Sequence, residues 1–168
     1  DLRCEEWQTG NPVRHTETAP NNHYVDAYGL GHGWSFAFPS IEQIAEVKEN
    51  GVHVEYKDYL HLADGRTMKI ADEPTGDGSN LKDYHLLDVR IVKESGVVSY
   101  ANSRAFYEYI LYYMDGQRDY LNNNTIVARR DRFDNTILFE FKKDAGATII
   151  DTLGREIKLT RASATDGY

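Results

Sequence analysis

The sequence predicts an all-β fold built mainly from antiparallel hairpins in a meander. Twelve Tyr, six Phe and two Trp make 12% of the 168 residues aromatic. They lie among Val, Ile and Thr, the residue types that suit a pleated, half-buried surface. Several short segments also alternate apolar and polar residues, and turn-forming dipeptides separate them. A chain of this length is long enough to enclose one hydrophobic core.

Residues 1–28 are polar and show no regular period, so we predict an extended N-terminal arm there. A β-hairpin domain is predicted over 29–160, followed by a polar tail at 161–168. The domain begins with GLGHGWSFAFP, from Gly29 to Pro39. Its glycines precede alternating aromatic residues, a pattern that predicts a tight bend feeding a buried strand.

The segment that follows predicts two linked hairpins. Asn50-Gly51 and Asp64-Gly65 are dipeptides that accept positive φ at both central positions of a type I′ turn. Residues 41–49 leave an alternative open, because Ser40 and Gln43 have the spacing of a helix capping box and helically spaced apolar residues follow. We favour a strand there, with one short helix as the alternative.

Turn formers fill residues 72–83, DEPTGDGSNLKD, and predict a surface loop. The next segment, HLLDVRIVKE, predicts a strand, Ser95-Gly96 a turn, and VVSY the start of another strand. Aromatic and β-branched residues over 106–113 favour a strand, although the same residues would also line one face of a helix. Asp115-Gly116 then predicts a turn into QRDYL.

The C-terminal third contains an internal echo at an offset of 20 residues. DRFDNTILFEF aligns with DTLGREIKLT, and the alignment superposes these pairs: Asp131 on Asp151, Asp134 on Gly154, Asn135 on Arg155, Ile137 on Ile157 and Phe139 on Leu159. The offset corresponds to about two strands and two turns. A unit of this size cannot bury a hydrophobic face alone, so the echo predicts stacking in a tandem array.

The second copy of this echo resembles a known repeat. Residues 150–157, IDTLGREI, resemble the YD-repeat signature of Rhs proteins: tyrosine, aspartate, two residues, glycine, arginine and an apolar residue. Residues 133–136, FDNT, resemble a degenerate companion copy. GLGHGWSFAFPSIE, from Gly29 to Glu42, resembles the opening segment that precedes the repeats in bacterial wall-associated and toxin-carrying members. Ile150 replaces the tyrosine of the signature, and the middle of the chain lacks the signature. These departures place the chain at the beginning of such a shell.

The resemblance implies a non-catalytic structural module of a secreted or cell-surface protein. It would be a YD-repeat-like β shell segment, with repeats at 131–160, that encloses or supports an effector or toxin domain; related teneurin shells support cell adhesion. The implied partners are the remainder of the parent polypeptide or a second copy joined through sheet edges. No cofactor is expected. The repeat-motif residues are then structural: Asp134, Asn135, Asp151, Gly154 and Arg155.

Elementary chemistry assigns the same roles to these residue types. Aspartate and glycine satisfy and permit a tight turn, and an arginine just after the turn can pair with a carboxylate on the adjacent strand. Tyrosines supply cross-strand contacts. None of these roles requires catalysis.

A carbohydrate-binding β-sandwich is the alternative function. Trp34, Tyr107 and Tyr109 are candidates for a flat platform that stacks on sugar rings, although strand alternation directs about half of such aromatics into the core. An extracellular hydrolase has less support, because the sequence lacks a GxSxG elbow and a Gly-rich phosphate loop.

Metal sites have weak support. The six histidines show no HxxxH or HExxH spacing, so no zinc site is predicted. Asp72, Asp77 and Asn80 supply oxygen atoms of the kind that Ca²⁺ binds, but their spacing does not match an EF-hand. We therefore favour a plain acidic turn over a calcium site.

Charge and hydropathy restrict the remaining partners. The 19 Lys and Arg against 27 Asp and Glu give a formal net charge of −8, without the clustered cations that nucleic acid or anionic membranes attract. No apolar run approaches the roughly 18 residues of a membrane-spanning helix. Cys4 is the only cysteine, which excludes an internal disulfide. Because the chain begins with Asp1, we expect it to be processed or excised from a longer polypeptide.

Overall fold

The computed structural model of the protein describes residues 36–47, 54–74, 78–86, 88–100, 103–122, 124–142 and 146–160. All regular secondary structure within these ranges is β-strand. The strands form two antiparallel sheets, which confirms the predicted all-β fold of hairpins. No membrane-spanning helix is found among these residues. The arm predicted at 1–28 and the tail predicted at 161–168 lie outside them.

The smaller sheet contains three strands in sequence order: β1 (Ser40–Val47), β2 (Val54–His61) and β3 (Thr67–Lys69). β1 and β2 pair without interruption from Ser40 opposite His61 to Val47 opposite Val54. The predicted strand in this region is confirmed, and the helical alternative is wrong. Eight consecutive cross-strand pairs outweigh the local preference that a capping box expresses.

The larger sheet contains seven strands: β4 (Val89–Tyr100), β5 (Ser103–Tyr113), β6 (Arg118–Asn122), β7 (Thr125–Arg130), β8 (Thr136–Lys142), β9 (Gly146–Ile150) and β10 (Glu156–Thr160). Each strand pairs antiparallel with the next one in the chain, so the sheet is an uninterrupted meander from β4 to β10. The strand predicted over 106–113 lies within β5, and the predicted turn at Asp115-Gly116 joins β5 to β6.

A β-bulge bends the long β4–β5 hairpin. Its register moves from Lys93 opposite Tyr109 to Gly96 opposite Tyr107. The strand therefore continues through Ser95-Gly96, and the turn predicted there is wrong. A bulge adds an unpaired residue and sharpens the local bend. Glycine at 96 avoids a clash, because a Cβ at this position would lie 2.6 Å from Cζ of Tyr107.

Successive residues of a strand point to opposite faces of the larger sheet, and both faces carry buried side chains. Tyr109 and Leu111 contribute to a core shared with the smaller sheet. Ile110 lies between them in sequence, and it belongs to a second cluster with Val98. The bend at the bulge therefore lets the distal part of the β4–β5 hairpin cover the face that the smaller sheet does not.

A third cluster covers the strands nearer to β10. Ile126 and Phe139 are buried there, and Phe36 and Phe38 pack against them. The ring centroids of Phe38 and Phe139 lie 5.0 Å apart. Phe36 and Phe38 lie outside any strand, so the strand predicted from their alternation is wrong over 36–38, and both rings are only partly buried. Residues 29–35 lie outside the described part of the chain.

The loop predicted over 72–83 is only partly at the surface. Asp72 is exposed, but Asn80 and Leu81 are buried. The Asn80 N–H donates to the Ile91 carbonyl at 2.8 Å, and Leu81 forms an isolated β-bridge with Ile70. The segment therefore covers the outer edge of β4, which is why its backbone is buried in spite of a turn-forming composition.

Candidate functional site

Two turns of the larger sheet, 131–135 and 151–155, have the same backbone hydrogen bonds, and we call them the repeat turns. The first residue of each, an aspartate, donates its N–H to the carbonyl of the fifth residue, at 3.1 Å in the first turn and 3.0 Å in the second. The fourth residue donates to the carbonyl of the first, at 3.1 and 2.9 Å. The echo in the sequence is therefore an equivalence in backbone geometry.

The aspartate side chain completes each repeat turn in the same way. Oδ1 of Asp131 accepts the N–H groups of the third and fifth residues at 2.8 and 2.9 Å, and Oδ1 of Asp151 does so at 2.8 and 2.9 Å. The fourth residue has positive φ, 64° at Asp134 and 77° at Gly154. This is the geometry of a three-residue hairpin loop that ends in a left-handed residue.

Two other hairpin turns, 62–66 and 113–117, share these backbone bonds but place the carboxylate differently. The N–H of the first residue donates to the carbonyl of the fifth, at 2.9 Å in the turn at 62–66 and 3.0 Å in the turn at 113–117. In both turns the aspartate is the third residue, and it accepts the N–H of the fifth, at 3.0 Å for Asp64 and 2.9 Å for Asp115. Only the glycine of each dipeptide has positive φ. The predicted type I′ geometry of Asp64-Gly65 is therefore wrong, although the turn itself is confirmed.

The fifth residue of each repeat turn binds the first. Nε of Arg155 donates to Oδ2 of Asp151 at 2.6 Å, and Nδ2 of Asn135 donates to Oδ2 of Asp131 at 2.7 Å. Arg155 thus pairs within its own turn, and the expected pairing with a carboxylate on an adjacent strand is wrong. A cross-turn pair is made instead by Arg118, whose Nη2 lies 2.5 Å from Oδ1 of Asp134.

These contacts lower the pKa values of the two turn aspartates. The backbone N–H of Arg155 and then its guanidinium lower the pKa of Asp151. The Asn135 side chain, followed by the backbone N–H groups, lowers the pKa of Asp131. Both carboxylates are therefore ionised acceptors at neutral pH, as a turn-stabilising aspartate must be.

The repeat turns and the turn at 113–117 lie at one end of the larger sheet, because each joins an odd-numbered strand to the even-numbered strand that follows. The folded-back β4–β5 hairpin reaches the same end. There the Tyr100 hydroxyl donates to the Thr152 carbonyl within the second repeat turn. The motif residues thus contribute to one continuous row of turns.

Strand β10 is exposed along its whole length. All five of its residues are exposed, with Ile157 at 53% and Leu159 at 41% of their surface. It pairs with β9 on one side, and no strand of the described chain pairs with it on the other. The unpaired backbone of an edge strand can accept another strand.

A polar groove of about 440 Å³ lies where the two sheets meet beside the bulge, and we call it the bulge groove. It lies between β1 and β2 of the smaller sheet, the bent β4–β5 hairpin and the β6–β7 connection. Its lining residues are Ile41, Gln43, Asp58, Lys93, Ser95, Glu108, Tyr109 and Asn124. The bulge groove was not predictable from the sequence, because its residues come from separate segments that only the packing of the two sheets brings together.

Hydrogen bonds hold the floor of the bulge groove in place. The Tyr109 hydroxyl donates to Oδ2 of Asp58 at 2.8 Å, and Gln43 Nε2 donates to Oδ1 of the same carboxylate at 3.4 Å. Burial and then the Asp58 carboxylate raise the pKa of Tyr109 well above its ordinary value. Tyr109 therefore stays a neutral donor. Lys93 Nζ lies 5.9 Å from the centre of the Tyr109 ring.

The predicted aromatic platform is wrong for Tyr107 and Tyr109. Tyr109 is only 7% exposed and belongs to the core between the sheets. Tyr107 is half-buried against Tyr120 in the other cluster, with ring centroids 4.9 Å apart at 60°. The two rings therefore do not share an exposed surface. Trp34 lies outside the described residues.

The candidate calcium ligands have other contacts. Asp72 pairs with Lys57 at 3.1 Å. Asn80 donates from Nδ2 to the Ala71 carbonyl at 3.0 Å and accepts the Lys93 N–H at 3.1 Å, so its side chain links the loop to β4. Asp77 lies outside the described ranges. No group of three or more His, Cys, Asp or Glu suited to a metal ion occurs within those ranges.

Comparison of the chain with protein-family models, with curated proteins and with solved structures gives no match.

Proposed function

We propose that the chain is a non-catalytic structural module of a secreted or cell-surface protein, forming part of a YD-repeat-like β shell that encloses or supports an effector or toxin domain. The observation that supports this proposal is the first-position aspartate of the two repeat turns. In both turns its Oδ1 accepts the N–H groups of the third and fifth residues, an arrangement that the turns at 62–66 and 113–117 do not have. In the second repeat turn these bonds lie within the segment that resembles the Rhs signature, from Asp151 to Arg155. In the first, the accepting carboxylate is Asp131, and the donors belong to the degenerate copy at 133–136. The motif therefore serves the folding of a repeated hairpin.

The contacts of Asp151 support a structural role over a catalytic one. Its Oδ1 accepts two backbone N–H groups, and its Oδ2 accepts the Arg155 guanidinium. A general acid or base needs a pKa near the working pH and a free position for the proton. The pKa of Asp151 is lowered, and both of its oxygens are occupied within the turn.

The meander and its exposed edge support a role in a larger sheet. Each repeat adds one turn and its flanking strands in the same direction, so the sheet grows by simple addition at β10. The exposed apolar side chains of Ile157 and Leu159 would be covered by such an addition. The partner that the proposal implies is the remainder of the parent polypeptide or a second copy of the chain, joined through this edge.

Limited proteolysis of the full parent polypeptide tests the shell. Gly154→Val should open it, because valine does not tolerate the positive φ at this position. We expect the enclosed domain to resist protease in the wild type and to be cleaved in the variant.

Leu153→Ala is the matched control, since Leu153 is an exposed residue of the same turn. Equal cleavage of the enclosed domain in the wild type and Gly154→Val would contradict the proposal. So would an Arg155→Ala variant that loses an enzymatic activity while its thermal midpoint stays unchanged.

A further inference from the structure

We propose that the bulge groove binds an uncharged, hydroxyl-rich ligand, a short neutral glycan. This binding function is additional to the structural role of the repeat turns, because the groove and the turns share no residue. The volume of about 440 Å³ lies within the range of small-molecule sites.

The bulge groove carries charges of both signs. Its carboxylates, Asp58 and Glu108, disfavour an anion, and the Lys93 ammonium supplies a charged donor beside them. A hydroxyl group donates one hydrogen bond and accepts others, so a sugar can donate to the carboxylates and accept from the ammonium at once. Gln43 and Asn124 add carboxamides, which both donate and accept.

Part of the hydrogen-bonding capacity of the groove is not used within the described chain. Among the described residues, neither Glu108 nor the Lys93 ammonium has an ion-pair partner, and the Lys93 contact is with the Tyr109 ring. Asp58, by contrast, is held by Tyr109 and Gln43. The groove therefore combines one oriented carboxylate with groups that are available to a ligand.

The backbone around the groove is fixed by the fold. Ser95 lies in the β-bulge, between Lys93 and Gly96, where the register with β5 shifts. The Asn124 carbonyl accepts the Ile41 N–H at 3.1 Å, which joins the β6–β7 connection to β1. A backbone hydrogen bond thus joins the two sheets beside the groove, and preorganisation of this kind reduces the entropic cost of binding.

Glycan-array binding followed by calorimetric titration of the chain tests the site. We expect a neutral glycan to bind, and Glu108→Gln to weaken its binding by about tenfold through loss of one charged hydrogen bond. Lys93→Gln should weaken it similarly. Glu140→Gln is the matched control, because Glu140 is an exposed strand carboxylate that does not line the groove.

Three results would overturn the site: no neutral glycan binds the folded chain, only charged ligands bind, or Glu108→Gln and Glu140→Gln change the affinity equally. Equal thermal midpoints of the two variants establish that the comparison concerns binding. The titration needs only the chain itself, so its outcome is distinguishable from that of proteolysis of the parent polypeptide.

Discussion

Arg129 donates two hydrogen bonds to Asp119, from Nε to Oδ1 and from Nη2 to Oδ2, both at 2.7 Å. The two residues are directly opposite each other on β7 and β6, and Asp119 is completely buried. The Tyr113 hydroxyl donates a third bond to the same carboxylate at 2.9 Å. A buried carboxylate is tolerated in the sheet because its oxygens have three such donors.

We expect Asp119→Ala to lower the free energy of unfolding by about 3 kcal/mol, the lower end of the range for breaking a buried ion pair. The lower end applies because the Arg129 side chain keeps 28% of its surface exposed. Urea unfolding measures the change. Glu140→Ala, which removes an exposed pair with Lys142, should cost less than about 1 kcal/mol. Equal losses in the two variants would refute a special role for the buried pair.

The left-handed position of the second repeat turn gives a test of backbone strain alone. A Cβ at Gly154 would meet nothing within 4 Å, but φ is +77°. Gly154→Ala should therefore destabilise the chain by about 1–2 kcal/mol. Gly154→Asn should cost less, because asparagine tolerates this conformation and the equivalent residue of the first repeat turn is Asp134. Chemical denaturation of both variants decides the matter, and an equal effect would count against the assigned geometry.

The repeat turns were predictable because their information is local. An aspartate at the first position and a left-handed residue at the fourth lie within five residues, and every bond of the turn forms inside that window. The bulge was not predictable in the same way. Ser95-Gly96 has the composition of a turn, and only the contact of Gly96 with Tyr107 on the partner strand shows that the strand continues.

The same distinction explains the outcomes for the candidate sites. The alternation of side chains along a strand predicts that Tyr109 lies on one face of β5. It does not predict that the smaller sheet covers that face. The turn-forming composition around Asn80 does not show that this side chain links a buried loop to β4. The bulge groove depends on the packing of two sheets, so no single segment carries its signal.

Replacement of Gly96 tests the close contact at the bulge. We expect Gly96→Ala to destabilise the chain by about 1–3 kcal/mol, because the added Cβ overlaps the Tyr107 ring. Tyr107→Leu removes the obstructing ring, so the double variant Gly96→Ala/Tyr107→Leu should lose less stability than the sum of the two single variants. A double-mutant cycle from thermal unfolding measures this difference. Strict additivity would mean that the two residues do not clash.

Acid should destabilise the repeat turns. The pKa values of Asp131 and Asp151 are lowered from the ordinary value of 3.8 in the folded chain. Their contribution is therefore complete above pH 3.8 and disappears as the pH falls through the lower, folded-state values. The thermal midpoint should decrease over this acidic range. In Asp131→Asn/Asp151→Asn the decrease should be smaller, and an unchanged pH profile would contradict the assignment.

Strand β10 gives a test of edge pairing in the isolated chain. Antiparallel pairing of two copies about Ile157 would place Glu156 of each copy opposite Lys158 of the other. The pairing would thus form two favourable cross-strand charge pairs. We therefore expect self-association that increases with concentration in light scattering. Ile157→Lys should abolish it, because the substitution places like charges at the centre of the pair. Phe133→Lys is the control, since Phe133 is an exposed apolar residue in the first repeat turn, away from β10. A wild-type chain that stays strictly monomeric at high concentration would contradict pairing of two copies through β10.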